Sequence, residues 1–191
     1  MLYLILGLVV FLGVHSVRIF APAWAEARKA SMGEGPWKGL YSATSLIGFV
    51  LLVWGFGQAR WTAPVLWAPP FWVGHITALL MLFAMIALAA YMLPAGRIKA
   101  ALKHPMLVAV KIWAFAHLLI NGDLASVILF GSFLAWAVLD RISLKRRAAP
   151  TPVAGPATWD VATIVLGLVL YGLFVWKLHF WLFGVVPLTT G

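Results

Sequence analysis

The sequence predicts an all-α integral membrane protein, a bundle of about six transmembrane helices, and three observations predict it. Hydrophobic side chains make up 64% of the 191 residues and charged ones only 10%, with a mean hydropathy of +1.01. Soluble domains run near 45–50% apolar and about 25% charged, so a soluble globular protein is excluded. The apolar residues fall into six runs, most of them close to the roughly 20 residues that cross a bilayer as a helix. The charges lie mainly between these runs, so the net charge of +9 reads as a topology signal and not as a nucleic-acid footprint.

The elements follow in order along a single expected domain, 1–191. The first run, 2–20, precedes Ala23-Trp24-Ala25, which imitates a signal-peptidase site. No positive charge precedes that run, and Arg18, Arg28 and Lys29 follow its core, so a retained helix with its N-terminus outside is expected. Pro22 to Met32 is expected as a short helix on the cytoplasmic surface. Further spans are expected at 40–57, 71–93, 105–120, 124–139 and 161–183. Span 105–120 is short and carries Lys111. All spans must be helical, because lipid offers backbone polar groups no partner. Pro22, Pro70, Pro94, Pro105 and Pro187 fall at the boundaries, where a missing N–H does no harm. Ala149 to Pro156 reads as a flexible linker.

Charge sets the direction. The loops after spans one, three and five carry Arg28, Lys29 and Lys38, then Arg97, Lys99 and Lys103, then Arg141, Lys145, Arg146 and Arg147. The opposite side has Arg60 in its loops and Lys177 near the end of span six. The positive-inside rule puts both termini outside, which is the periplasm for a protein of a bacterial inner membrane.

The chain has no cysteine, which excludes disulfides, iron–sulfur clusters, thiolate zinc and covalently attached haem. Any metal must rely on histidine, methionine, carboxylate or backbone, so His15, His75, His104, His117 and His179 carry most of the chemical information. An ionisable group within a span costs about 2.5–3.5 kcal/mol. His15 lies about three turns into span one, with Arg18 one turn further on the same face. Arg18 is either a snorkelling charge or the partner of an acidic group such as a haem propionate. His104 stands before Pro105 at the inner surface. His117 and Asn121 share a face one turn apart, and Asp123 follows just beyond the helix. His104 and His117 are about 140° and about 20 Å apart on a helix, so one metal cannot take both. By depth, His75, His117 and His179 group in the outer half and His15 in the inner half. Neutral imidazoles on different helices, without a thiol, suit a non-covalently held haem iron; interhelical or interfacial hydrogen bonding is the alternative for each.

Gly13-Val14-His15-Ser16-Val17-Arg18, Trp37-Lys38-Gly39-Leu40-Tyr41-Ser42, and His104-Pro105 followed by Trp113, Ala116-His117-Leu118-Leu119 and Asn121-Gly122-Asp123 resemble the NnrU family over essentially the whole chain. That family comprises bacterial inner-membrane proteins associated with denitrification and nitric oxide metabolism, and it is related to the haem-b-dependent plant zeta-carotene isomerase. The resemblance implies haem b with His15 and His117 as axial ligands. His104 is matched but is not axial in the relative. On this reading Arg18 faces a propionate, and His104, Asn121 and Asp123 are polar groups around the cofactor. The implied role is in nitrite or nitric oxide metabolism, with a reductase system or electron donor as partner, or in redox-gated isomerisation of a lipid-soluble polyene. Catalysis needs an open position on the iron, and His117, beside Asn121 and the outer surface, is the ligand expected to leave. Two other readings are a bis-histidine electron carrier and a haem-free assembly or transport protein.

Overall fold

The structure is a computed structural model that describes residues 1–187. Helices account for nearly all of its regular structure; the single extended pairing among the described residues is a bridge between Val65 and Asp123. The described chain divides into two compact units, Met1–Trp67 with Gly122–Arg147, and Ala68–Asn121 with 148–187.

In the first unit α1 spans Leu2–Phe20, as the apolar run predicts. Helix α2 follows at Pro22–Met32, with proline in its first turn and Gly33 at φ 85° ending it, a conformation glycine adopts without steric cost. Helix α3 runs Glu34–Ala59 and so begins before the expected 40. Its extra first turn is polar and is held by an ion pair between Glu34 and Lys38, 2.7 Å, one turn apart. A hydropathy boundary cannot see such a turn, because it marks where lipid contact begins and not where helix begins.

Helix α1 packs chiefly on α3. The fit depends on small residues: a Cβ on Gly7 would run into the backbone of Leu52, one on Gly48 into Phe11, and one on Gly55 into Leu4. Bare backbone at these points lets two membrane helices approach closely without a solvent-driven hydrophobic force. The three pairings also fix an antiparallel register, which continues to set His15 level with Thr44 and Ser45. Helix α7, Leu124–Arg146, also packs on α1. It outlasts its expected end at 139 with a polar final stretch that closes on Lys145 and Arg146, cations that suit a helix C-terminus. The loop before it is pinned by Leu66 N–H to Gly122 O at 2.7 Å and Leu124 N–H to Pro64 O at 3.0 Å. Gly122 is required there, since a Cβ would overlap the carbonyl of Trp67.

The second unit contains α4 (Val73–Met92), α5 (Arg97–Leu102), α6 (Pro105–Ile120) and α8 (Thr158–Leu173), the last continuing through a π-helical turn, Phe174–Leu178, into α9 (His179–Phe183). Helix α4 packs against both α6 and α8, and alanines fill the interior: Ala84, Ala87, Ala89 and Ala90 of α4, Ala109, Ala114 and Ala116 of α6. The short α5 was expected as loop. It is held by contacts outside its own sequence: Asp160 Oδ1 accepts from Ile98 N–H at 2.8 Å. Nearby, Lys99 Nζ donates to the Tyr91 and Leu93 carbonyls at 3.0 and 2.6 Å, closing the end of α4.

Among the described residues five helical stretches are long and apolar enough to cross a membrane: Leu2–Phe20, Glu34–Ala59, Val73–Met92, Leu124–Arg146 and Thr158–Phe183. Helix α6, with 16 residues, is about 24 Å long against a hydrocarbon layer of about 30 Å. Large apolar side chains stand outward on the long helices, with Val9 64%, Leu46 62% and Trp181 79% exposed. A surface of that kind is matched to lipid, not to water.

Candidate functional site

In the first unit the site residue is His15. Its Nδ1 lies 2.6 Å from the carbonyl of Phe11, one turn back on α1. A carbonyl only accepts, so Nδ1 carries the proton and Nε2 holds the lone pair of the neutral ring. That is the tautomer a metal-ligating histidine takes when a backbone oxygen orients it. Rings from three helices surround the imidazole. Phe11 lies 4.4 Å away centre to centre, Tyr41 of α3 5.3 Å, and Trp136 of α7 6.1 Å and edge-on at 89°. Two polar atoms near this cluster are buried without a hydrogen-bond partner, Ser45 Oγ and Trp136 Nε1.

Arg18 is bound to Glu26 of α2 at 2.9 Å, and both side chains are largely exposed, 66% and 61%. An ion pair this wet contributes about 0–1 kcal/mol. Of the two readings the sequence allows for Arg18, a snorkelling charge or the partner of an acidic group, the structure gives it an acidic partner within the chain, Glu26.

In the second unit His117 repeats the arrangement of His15. Its Nδ1 lies 2.8 Å from the Trp113 carbonyl, and the Trp113 ring packs at 5.5 Å. Asn121, on the same face, donates from Nδ2 to the His117 carbonyl at 2.9 Å and so closes the end of α6. Thr77 of α4 donates its hydroxyl to the Ala116 carbonyl at 3.3 Å, which ties the level of His117 to α4. His179, directly after the π-helical turn, brings its ring to 6.5 Å from that of His117, with the planes only 20° apart. Its own Nδ1 lies 2.8 Å from the Val185 carbonyl. Of the outer-half histidines grouped by depth, the structure thus joins His117 with His179. His75 is exposed at the start of α4, edge-on to Phe71 at 5.2 Å.

The remaining expected residues have local structural roles. His104 is the residue before Pro105 at the start of α6, and its carbonyl accepts from Val108 N–H at 3.2 Å. Asp123 caps α7, accepting from the amide of Ser126 at 2.9 Å and from its hydroxyl at 2.6 Å. Trp136 and Ser45 were not singled out from sequence, where tryptophan and serine in an apolar bundle carry no signal of their own.

Among the described residues no three histidine, aspartate or glutamate side chains gather where they could hold a metal ion. The donor set fits a metal that brings most of its own ligands, such as iron already held by a porphyrin, which asks only one or two imidazoles of the protein. A family model described as NnrU protein matches residues 3–187. No curated protein and no solved structure matches the chain.

Proposed function

The chain belongs to the NnrU family, and we propose that it is a haem b protein of the bacterial inner membrane with His15 and His117 as the axial ligands. The observation that carries this reading is the shared setting of the two imidazoles. Each sits on an apolar helix with Nδ1 tied to a carbonyl one turn back, at 2.6 Å for His15 and 2.8 Å for His117, which makes Nε2 the ring nitrogen suited to ligate a metal. Haem bound there supplies an iron that changes redox state and binds small ligands. The protein's part is to fix the two rings, to surround them with aromatic and aliphatic side chains, and to keep bulk water out. Arg18 is the candidate partner of a propionate, exchanging Glu26 for it. The topology that accompanies this reading has six crossings, with α6 as the short fourth, and both termini in the periplasm, a direction that the loop cations support.

The role follows the family association: nitrite or nitric oxide metabolism alongside a reductase system or electron donor, or isomerisation of a lipid-soluble polyene. A pyridine haemochrome assay on protein purified after haem-replete expression tests the cofactor. Haem b near one per chain is expected. A folded, colourless and metal-free preparation overturns the reading.

A further inference from the structure

Buried polar groups are nearly always hydrogen-bonded, and leaving one unpaired costs on the order of 1–3 kcal/mol. Among the described residues two buried side-chain atoms lack a partner, Ser45 Oγ and Trp136 Nε1. They come from different helices, α3 and α7, both of which pack on α1, the helix that carries His15. Trp136 is 6.1 Å from the His15 ring and perpendicular to it. Ser45 stands at the level of His15 in the register that Gly7, Gly48 and Gly55 impose, one turn from Tyr41, whose ring is 5.3 Å from His15. Two unpaired donors on the helices that pack on α1 are what a missing acceptor leaves. Both groups can donate, and an indole N–H can do nothing else.

We infer that the His15 side of the bound iron is where an external ligand enters, and that Trp136 N–H, with Ser45 O–H, donates hydrogen bonds to it. The inference rests on the haem reading above. With haem bound, an external ligand would have to take the place of one imidazole, and on this inference that imidazole is His15. The class of ligand is a small molecule with an electron-rich terminal atom, a diatomic or a small oxyanion. The sequence points to His117 as the ligand that yields. The unpartnered buried donors among the described residues are instead Trp136, beside His15, and Ser45, at its level, and on this inference His117 is the ligand that stays.

Carbon monoxide is the probe, bound to the dithionite-reduced full-length protein in detergent. Its C–O stretching band reports directly on a donor at the ligand's outer atom. Trp136→Phe is expected to move the band to higher frequency and to speed carbon monoxide dissociation about five-fold, the effect of one net hydrogen bond. Ser45→Ala is expected to shift the band in the same direction by less, and it keeps the test decisive if Trp136→Phe fails to fold. A carbon monoxide adduct with the same band in wild type and both variants overturns the inference and leaves the haem reading intact. Haem-loaded protein that takes no carbon monoxide also overturns it. Absence of haem from folded wild-type protein removes both.

Discussion

Asp123 stands directly after the Asn121-Gly122 pair, where sequence reasoning placed it near the cofactor; its contacts make it a helix cap. Replacing it with alanine removes the acceptor of the Ser126 amide, an N-cap loss of about 1 kcal/mol. It also strands the Ser126 hydroxyl, which belongs to a residue only 2% exposed, at a further cost of about 1–3 kcal/mol. Asp123→Ala should therefore destabilise the first unit by about 2–4 kcal/mol. Asp123→Asn keeps one acceptor oxygen and should cost about 1 kcal/mol. The assay is unfolding of detergent-solubilised protein by increasing SDS, followed by circular dichroism, with haem content measured per folded chain. Unfolding of Asp123→Ala at the wild-type midpoint would refute the capping argument. So would wild-type stability accompanied by loss of haem, which would make Asp123 a cofactor residue after all.

Four other outcomes are expected. Gly48→Val places a Cβ 2.7 Å from the Phe11 backbone nitrogen, so it should destabilise the α1–α3 pair by about 1–3 kcal/mol in the same unfolding assay. Gly57→Val, with nothing within 4 Å of its Cβ position, should stay within about 1 kcal/mol of wild type. Asp160→Ala removes the acceptor of Ile98 N–H and should loosen α5, read as faster tryptic cleavage at Arg97, Lys99 and Lys103; an unchanged digestion pattern contradicts it. Glu26→Gln frees Arg18 from an exposed ion pair and should change stability by less than about 1 kcal/mol, with a larger loss showing that the pair is structural.

The sequence and the structure agree where one physical signal decides. Lipid demands long apolar runs, so α1 and α6 sit where hydropathy places them, and Pro22 and Pro105 mark helix starts because proline fits a first turn. Disagreement begins where helix outlasts apolarity. The Glu34 to Lys38 turn and the Asp140 to Arg146 stretch are polar but helical, continued by ion pairing and by cations at a helix end. Helix α5 depends on Asp160, 62 residues downstream of Ile98, and no local pattern reveals such a partner. The site divides the same way. Single histidines were visible because an ionisable group in a span is costly. The approach of His179 to His117, and of Trp136 to His15, depends on helix register. Register is set by glycines whose meaning appears only when the facing helix is known.

The central claim is that His15 and His117 hold an iron porphyrin. The most direct test is the reduced-minus-oxidised optical spectrum of the wild type beside His15→Ala and His117→Ala, each matched for folded protein. The account predicts the bands of a low-spin b-type haem in the wild type, and loss or conversion to a high-spin form in each variant. Wild-type bands persisting in both variants would contradict it.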